Sequence, residues 1–327
     1  MMPISRKRAL TIAGTVSFFG LLLTSCTAET GAVGEPADGG VTVVATTTQM
    51  GSLATEITDC AGGATQVLMS PSDDPHQFEA SSAQMVDMIE ADLVVANGLG
   101  LESAMQRSID NAVVDGAEVV ELAPELDPLP ISADEQHEHG DDSHDHGEHG
   151  HEHGTHDAHV WMDVSRMADG AELLGEEIAA ATGDETYVSC GTEVAEELRD
   201  VDAEIADIMA GLGSPRLVTD HAAYNYFADR YGVEVSGVVV PGGSTDAEPS
   251  SQDLAELSEL LSEQGADALV TSKANKNRLV TALADEANGT VPVVELYENA
   301  VGEPGSDAET YQDAMLYNAK SMADAIN

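Results

Sequence analysis

The sequence predicts an α/β fold: two βα lobes, each on a parallel sheet, joined by one long rigid helix. Three observations carry that expectation. Short runs of Val, Ala and Thr alternate with helical stretches through residues 41–121, and the alternation returns through 216–326. Such alternation marks βαβ units. Between the two blocks, residues 186–212 hold no Pro and one Gly, Gly191, before Gly211. There Ala195, Leu198, Val201, Ile205 and Ile208 recur at three- and four-residue steps, the pattern of a long amphipathic helix.

In order along the chain, residues 41–45 read as a buried strand between Gly40 and a Thr triplet, 49–60 as a helix and 65–69 as a second strand. Ser81 caps a helix ending near Ala91, 92–96 is a third strand, a helix runs to about Asp115, and 117–121 is a fourth strand. Residues 163–182 are helical by pattern. In the second block, strands are expected at 216–219, 233–240, 268–271 and 291–296, and helices at 222–231, 250–264, 276–288 and 308–326. The first lobe is thus 41–185, the linking helix 186–212 and the second lobe 213–327. Ligands of open α/β sheets sit beyond the carboxyl ends of the strands, so the site belongs in the cleft between the lobes.

The first forty residues stand apart. Arg6, Lys7 and Arg8 precede an apolar stretch over 9–23, which reads as a secretory signal peptide spanning 1–25. Leu23-Thr24-Ser25-Cys26 resembles the lipobox of bacterial lipoproteins, which implies lipidation of Cys26 and a lipid anchor on the membrane's outer face. Residues 26–40, rich in Gly, read as a flexible tether. No later segment approaches ~18 consecutive apolar residues.

The chain has 12 Lys plus Arg against 60 Asp plus Glu, a formal charge of -48. That balance excludes nucleic acid as a partner, because phosphate binding needs clustered cations. Three Cys are too few for a disulfide scaffold. With Cys26 lipidated, an oxidising compartment favours pairing of Cys60 with Cys190 as one disulfide over free thiols.

Histidine is the anomaly. His137, His139, His144, His146, His149, His151, His153 and His156 crowd into 134–157 among acids, Gly and Ser, with no large apolar side chain. Such a segment cannot bury a core and reads as a disordered loop with auxiliary, low-affinity metal sites. No HExxH is present, so the metalloprotease motif fails. The three remaining histidines stand at strand ends or loops around the expected cleft: His76 in Asp74-Pro75-His76-Gln77-Phe78-Glu79, His159 in Asp157-Ala158-His159-Val160-Trp161-Met162-Asp163, and His221 in Asp220-His221-Ala222-Ala223-Tyr224. Three imidazoles converging from both lobes favour a metal site.

These blocks, with Ala91-Asp92-Leu93-Val94-Val95-Ala96-Asn97-Gly98, Tyr226-Phe227-Ala228-Asp229-Arg230-Tyr231-Gly232, Glu248-Pro249-Ser250 and Thr310-Tyr311 through Tyr317-Asn318, span nearly all of the chain after the tether. In them the sequence resembles the zinc-uptake group of metal-binding lipoproteins that serve ABC importers. The resemblance implies two Rossmann-like lobes, one metal in the interlobe cleft, and His76, His159 and His221 as its ligands. It implies an extracytoplasmic, non-enzymatic monomer that delivers Zn2+ to an ABC permease and its ATPase. Manganese-type relatives place Glu where His221 stands, and three imidazoles favour Zn over Mn. Many relatives supply an Asp where Asn299 falls here, so the fourth ligand stays open among Glu298, Asn299, a water and a loop His.

Two rival functions have some footing. A zinc hydrolase would use three protein ligands and an open position, with Glu79 or Asp220 as base, but nothing specifies a substrate. An adhesin role is suggested by labels given to relatives of this group. Gly98-Leu99-Gly100 lacks the third glycine of a dinucleotide fingerprint and reads as the start of a helix, Pro241-Gly242-Gly243-Ser244 reads as a structural turn, and Met85, Met88 and Met105 read as core filler.

Overall fold

The computed structural model describes residues 40–131, 155–240, 245, 249–263, 265–274, 276–287 and 289–327. The signal segment, Cys26, the tether before Gly40, the clustered histidines other than His156, and the 241–244 turn lie outside the described residues.

The first sheet takes β1 (Thr42–Ala45), β2 (Ala64–Val67), β3 (Leu93–Ala96) and β4 (Val119–Glu121) in the order β2-β1-β3-β4, all parallel. Its crossovers carry α1 (Thr48–Ala61), α2 (Ser82–Glu90) and α3 (Gln106–Val114). Two antiparallel-packed helices follow, α4 (Val164–Thr182) and α5 (Thr186–Ala210). The second sheet repeats the plan: β5 (Arg216–Thr219), β6 (Glu234–Val238), β7 (Ala268–Ser272) and β8 (Val293–Leu296), in the order β6-β5-β7-β8 and again parallel. Its helices are α6 (Asn225–Tyr231), α7 (Ser251–Glu263), α8 (Arg278–Glu286) and α9 (Tyr311–Ile326).

Capping fixes several helix starts. Ser81 and Gln84 form a reciprocal capping box before α2, Asp163 accepts from Ser165 and Arg166 N–H before α4, and Thr310 accepts from Asp313 N–H before α9. Because Thr310 is the cap, α9 begins three residues later than its pattern suggested. Similarly, α6 starts at Asn225 rather than 222, because Ala222 and Ala223 are spent in a turn in which Ala223 N–H donates to the His221 carbonyl.

Gly98, Leu99 and Gly100 do not open α3. Their backbones are left-handed (φ +86°, +55° and +81°), and they turn the chain so that the buried Glu102 carboxylate accepts from Asn97 N–H, Gly98 N–H and the Thr46 hydroxyl. Helices α4 and α5 cross at Gly175 and Gly191. A Cβ on Gly191 would lie 2.6 Å from the Ala171 carbonyl, and one on Gly175 2.6 Å from that of Tyr187, so the two backbones meet directly.

One apolar core runs through both lobes. It joins Val43, Leu53 and Leu93 of the first, through Leu174, Leu198 and Ile205 of α4 and α5, to Leu217, Phe227, Leu296 and Met315 of the second. Cys60, at the end of α1, is bonded to Cys190 in α5 across a sequence separation of 130 residues. No helix among the described residues is long and apolar enough to cross a membrane.

Candidate metal centre

Each of the three isolated histidines is placed by the loop that follows a strand or by a short turn. His76 lies in the loop after β2, with its N–H donating to Asp74 Oδ1 at 3.0 Å. His159 precedes a single turn over Val160–Met162, and both its N–H (2.9 Å) and its Nδ1 (2.7 Å) meet Asp157 Oδ1. His221 follows β5, with its N–H (2.9 Å) and Nδ1 (3.1 Å) on Asp220 Oδ1.

The three rings meet. Their centroids are 5.3, 5.4 and 6.0 Å apart, and one nitrogen from each lies within 4.8 Å of the others. All three are buried, at 8, 1 and 2 % exposure for His76, His159 and His221. His76 Nε2 and His159 Nε2 face each other at 3.3 Å, and His221 Nε2 is buried with no hydrogen-bond partner. An aspartate occupying Nδ1 leaves Nε2 as the ligating atom, so Asp157 and Asp220 select the tautomers a metal needs. Burial, with the neighbouring rings, pushes the His76 pKa well below the ordinary imidazole value. At His221 burial acts in the same direction, but the Glu298 and Asp220 carboxylates outweigh it and hold the pKa well above that value.

A second donor set adjoins the first. Asp220, His221 and Glu298 also bring ligand atoms within 4.8 Å of one another. Glu298 follows β8 and is 1 % exposed, with Tyr224 donating its hydroxyl to Oε2 at 2.8 Å. Its Oε1 lies 3.4 Å from His221 Nδ1 and has no hydrogen bond. Burial and the nearby Asp220 charge push the Glu298 pKa up to about 7. Asn299 Oδ1 is likewise buried and unpartnered. Two crowded carboxylates and several orphaned acceptors around imidazoles suit a divalent cation, which offsets the charge and takes up the lone pairs. A cavity of 170 Å³ beside His221 is lined by Asp74, Asp220, Thr245, Glu298 and Asn299 among others.

The other candidates separate from this centre. His156 stands half-buried in the stem of the His-rich segment, its Nδ1 on the Thr155 hydroxyl at 2.9 Å. Glu79 is exposed. Asp220, the other base that a hydrolase would use, is engaged by His221 Nδ1 and by Ser272 N–H. Sequence reasoning missed the orienting role of the aspartates, yet the signal was present: Asp74, Asp157 and Asp220 stand one or two residues before their histidines.

The chain matches the family described as zinc-uptake complex component A, periplasmic, over residues 43–325. It is 28% identical over 329 residues to the manganese-binding lipoprotein MntA of Bacillus subtilis, covering 96% of this chain and 98% of that one. It is 27% identical over 315 residues to the zinc-binding protein TroA of Treponema pallidum, covering 93% and 95%. The solved structure of the Treponema pallidum protein shares the fold, with a TM-score of 0.73, 24% identity, and coverage of 88% of this chain and 99% of that one.

Proposed function

The chain belongs to the zinc-uptake complex component A family, and on that premise we propose that it captures Zn2+ with His76, His159 and His221 and delivers it to an ABC permease driven by its ATPase. Members of the family are metal-binding components of importers, so the role is solute binding rather than catalysis. The observation that carries the zinc reading is the meeting of three buried imidazoles, one of them with an unpartnered Nε2. Relatives are named for manganese and for zinc alike. The donor set supports zinc, because Mn2+ favours more oxygen ligands. Glu298 is proposed as the fourth ligand, since its charge compensates the cation better than the neutral Asn299 amide. Lipid anchoring at Cys26, a monomeric state and the boundaries 41–185, 186–212 and 213–327 complete the proposal.

The test is calorimetry with Zn2+ and Mn2+ near neutral pH, where zinc binds more tightly. The pH dependence has a defined sign. With its pKa held high, metal-free His221 carries a proton at neutral pH that zinc must displace. Affinity therefore rises as pH goes from about 5.5 to about 7.5 and goes on rising until pH passes the raised His221 pKa. Equal affinities at the two would exclude imidazole ligation. The same proton stabilises the metal-free fold. Because the folded pKa is raised, that contribution is complete below the unfolded value near ~6.5 and is lost as pH rises through the folded pKa.

Deleting residues 134–157 outright would remove Asp157, so the loop is tested by deleting 134–153. That variant keeps the tight site and loses only weaker zinc equivalents in the same calorimeter. Loss of the tight site would show that the His-rich segment supplies a ligand.

A further inference from the structure

Residues 129–131 and 155–157, on either side of the His-rich segment, pair with each other, and the second lobe holds this paired stem. Ile131 N–H donates to the Thr155 carbonyl (3.2 Å) and Asp157 N–H to that of Leu129 (2.8 Å). Tyr226, fully buried at the start of α6, places one hydroxyl between the two stem strands: it accepts from Leu129 N–H at 3.0 Å and donates to the Asp157 carbonyl at 2.7 Å. The preceding residue, Asn225, donates from Nδ2 to Asp157 Oδ2 at 2.9 Å. Asp157 Oδ1 is the oxygen that holds His159 by both ring and backbone.

We infer that Asn225 and Tyr226 are positioning residues for the metal centre, acting on His159 through Asp157. The inference rests on the three-imidazole reading. A carboxylate with one oxygen fixed by Asn225 and its backbone fixed by Tyr226 has a single orientation, so the His159 ring keeps Nδ1 on Asp157 and Nε2 toward His76. Partners of this kind change metal affinity by 10- to 100-fold. The consequence is a shared control element. Residues 220–226 carry His221 directly and His159 through Asp157, so a displacement of this one stretch in the second lobe loosens two of the three imidazoles together. Metal release is thereby tied to displacement of this one stretch of the second lobe, although His159 belongs to the first.

The experiment measures zinc affinity by competition with a chelator for Asn225→Ala, Tyr226→Phe, Asp157→Ala, His159→Ala and the double variant Asp157→Ala/Asn225→Ala. Asn225→Ala weakens zinc about 10-fold or more and alters the visible absorption of bound Co2+, a signature that a change in stability alone does not move. Tyr226→Phe acts in the same direction. In the Asp157→Ala background, adding Asn225→Ala changes affinity by less than about 2-fold, because the route through Asp157 is already cut. Unchanged zinc affinity in Asn225→Ala, or a full additional loss in the double variant, overturns the inference. If His159→Ala binds zinc as tightly as the parent, the three-imidazole reading itself fails. If His159→Ala loses zinc while Asn225→Ala does not, only the positioning role falls. Asn225 is half-buried, so its alanine variant keeps the test informative even if Tyr226→Phe, which leaves Leu129 N–H unpartnered, folds poorly.

Discussion

Alanine at position 221 weakens zinc binding by about 100-fold or more. Zinc bound by four protein ligands is held by roughly 10–16 kcal/mol, which apportions ~3 kcal/mol to each, and every 1.4 kcal/mol is tenfold. His221 stands out among the three because its Nε2 has no other occupation: it is buried and unpartnered, while its Nδ1 is held by Asp220. The substitution also leaves Asp220 and Glu298 facing each other without the cation between them. Glu298, whose pKa already lies at about 7, then takes up a proton, which limits the loss of stability. The measurement pairs chelator competition with thermal unfolding of the metal-free variant. Trp161 supplies the optical readout: its ring lies 5.1 Å from that of His159 and its Nε1–H donates to the Glu298 carbonyl at 2.6 Å. Wild-type affinity in a folded variant would remove His221 from the site.

Replacing Cys60 and Cys190 together by serine lowers unfolding stability by about 2–5 kcal/mol and leaves zinc affinity unchanged. The bond closes a loop of 130 residues that contains β2 to β4 and all of α4. Cross-linking so long a stretch removes much of the conformational freedom of the unfolded chain. The function is spared for a geometric reason. Helix α1 runs back along the sheet, so its end lies near the start of β2 at the amino-terminal edge, whereas His76 and His221 follow the carboxyl ends of β2 and β5 and His159 meets them there. Urea titration with and without reductant checks the first half of the prediction, and calorimetry the second. A reduced protein that unfolds at the same urea concentration would show that the bond is thermodynamically idle.

What the sequence revealed and what it hid follow from physical range. The strands were legible because β1, β3 and β7 are buried on both faces and must be written in apolar residues. The long helix was legible because 186–210 hold no Pro and a single Gly, Gly191. The ends of α6 and α9 were not, since they depend on where Thr310 caps and on a turn after His221. Three histidines were conspicuous because they stood alone. Their aspartate partners were overlooked, although each stands within two residues of its histidine, because an acid in a chain of such charge attracts no notice. The fourth donor could not be read at all. Glu298 and Asn299 are adjacent, both end with an unpartnered buried oxygen, and only side-chain direction distinguishes them. Tyr226 was visible merely as part of a resemblance; its grip on Leu129 and Asp157 is a contact across 97 and 69 residues.

The unbroken apolar interior sets a limit on how cargo can leave. Prising the halves apart like a clam shell would wet the seam formed by α4, α5 and α9. At roughly 25 cal/mol per Å², baring even ~400 Å² costs ~10 kcal/mol, as much as an entire domain's margin against unfolding. Small displacements of the loops that carry the imidazoles, by contrast, leave that interior closed.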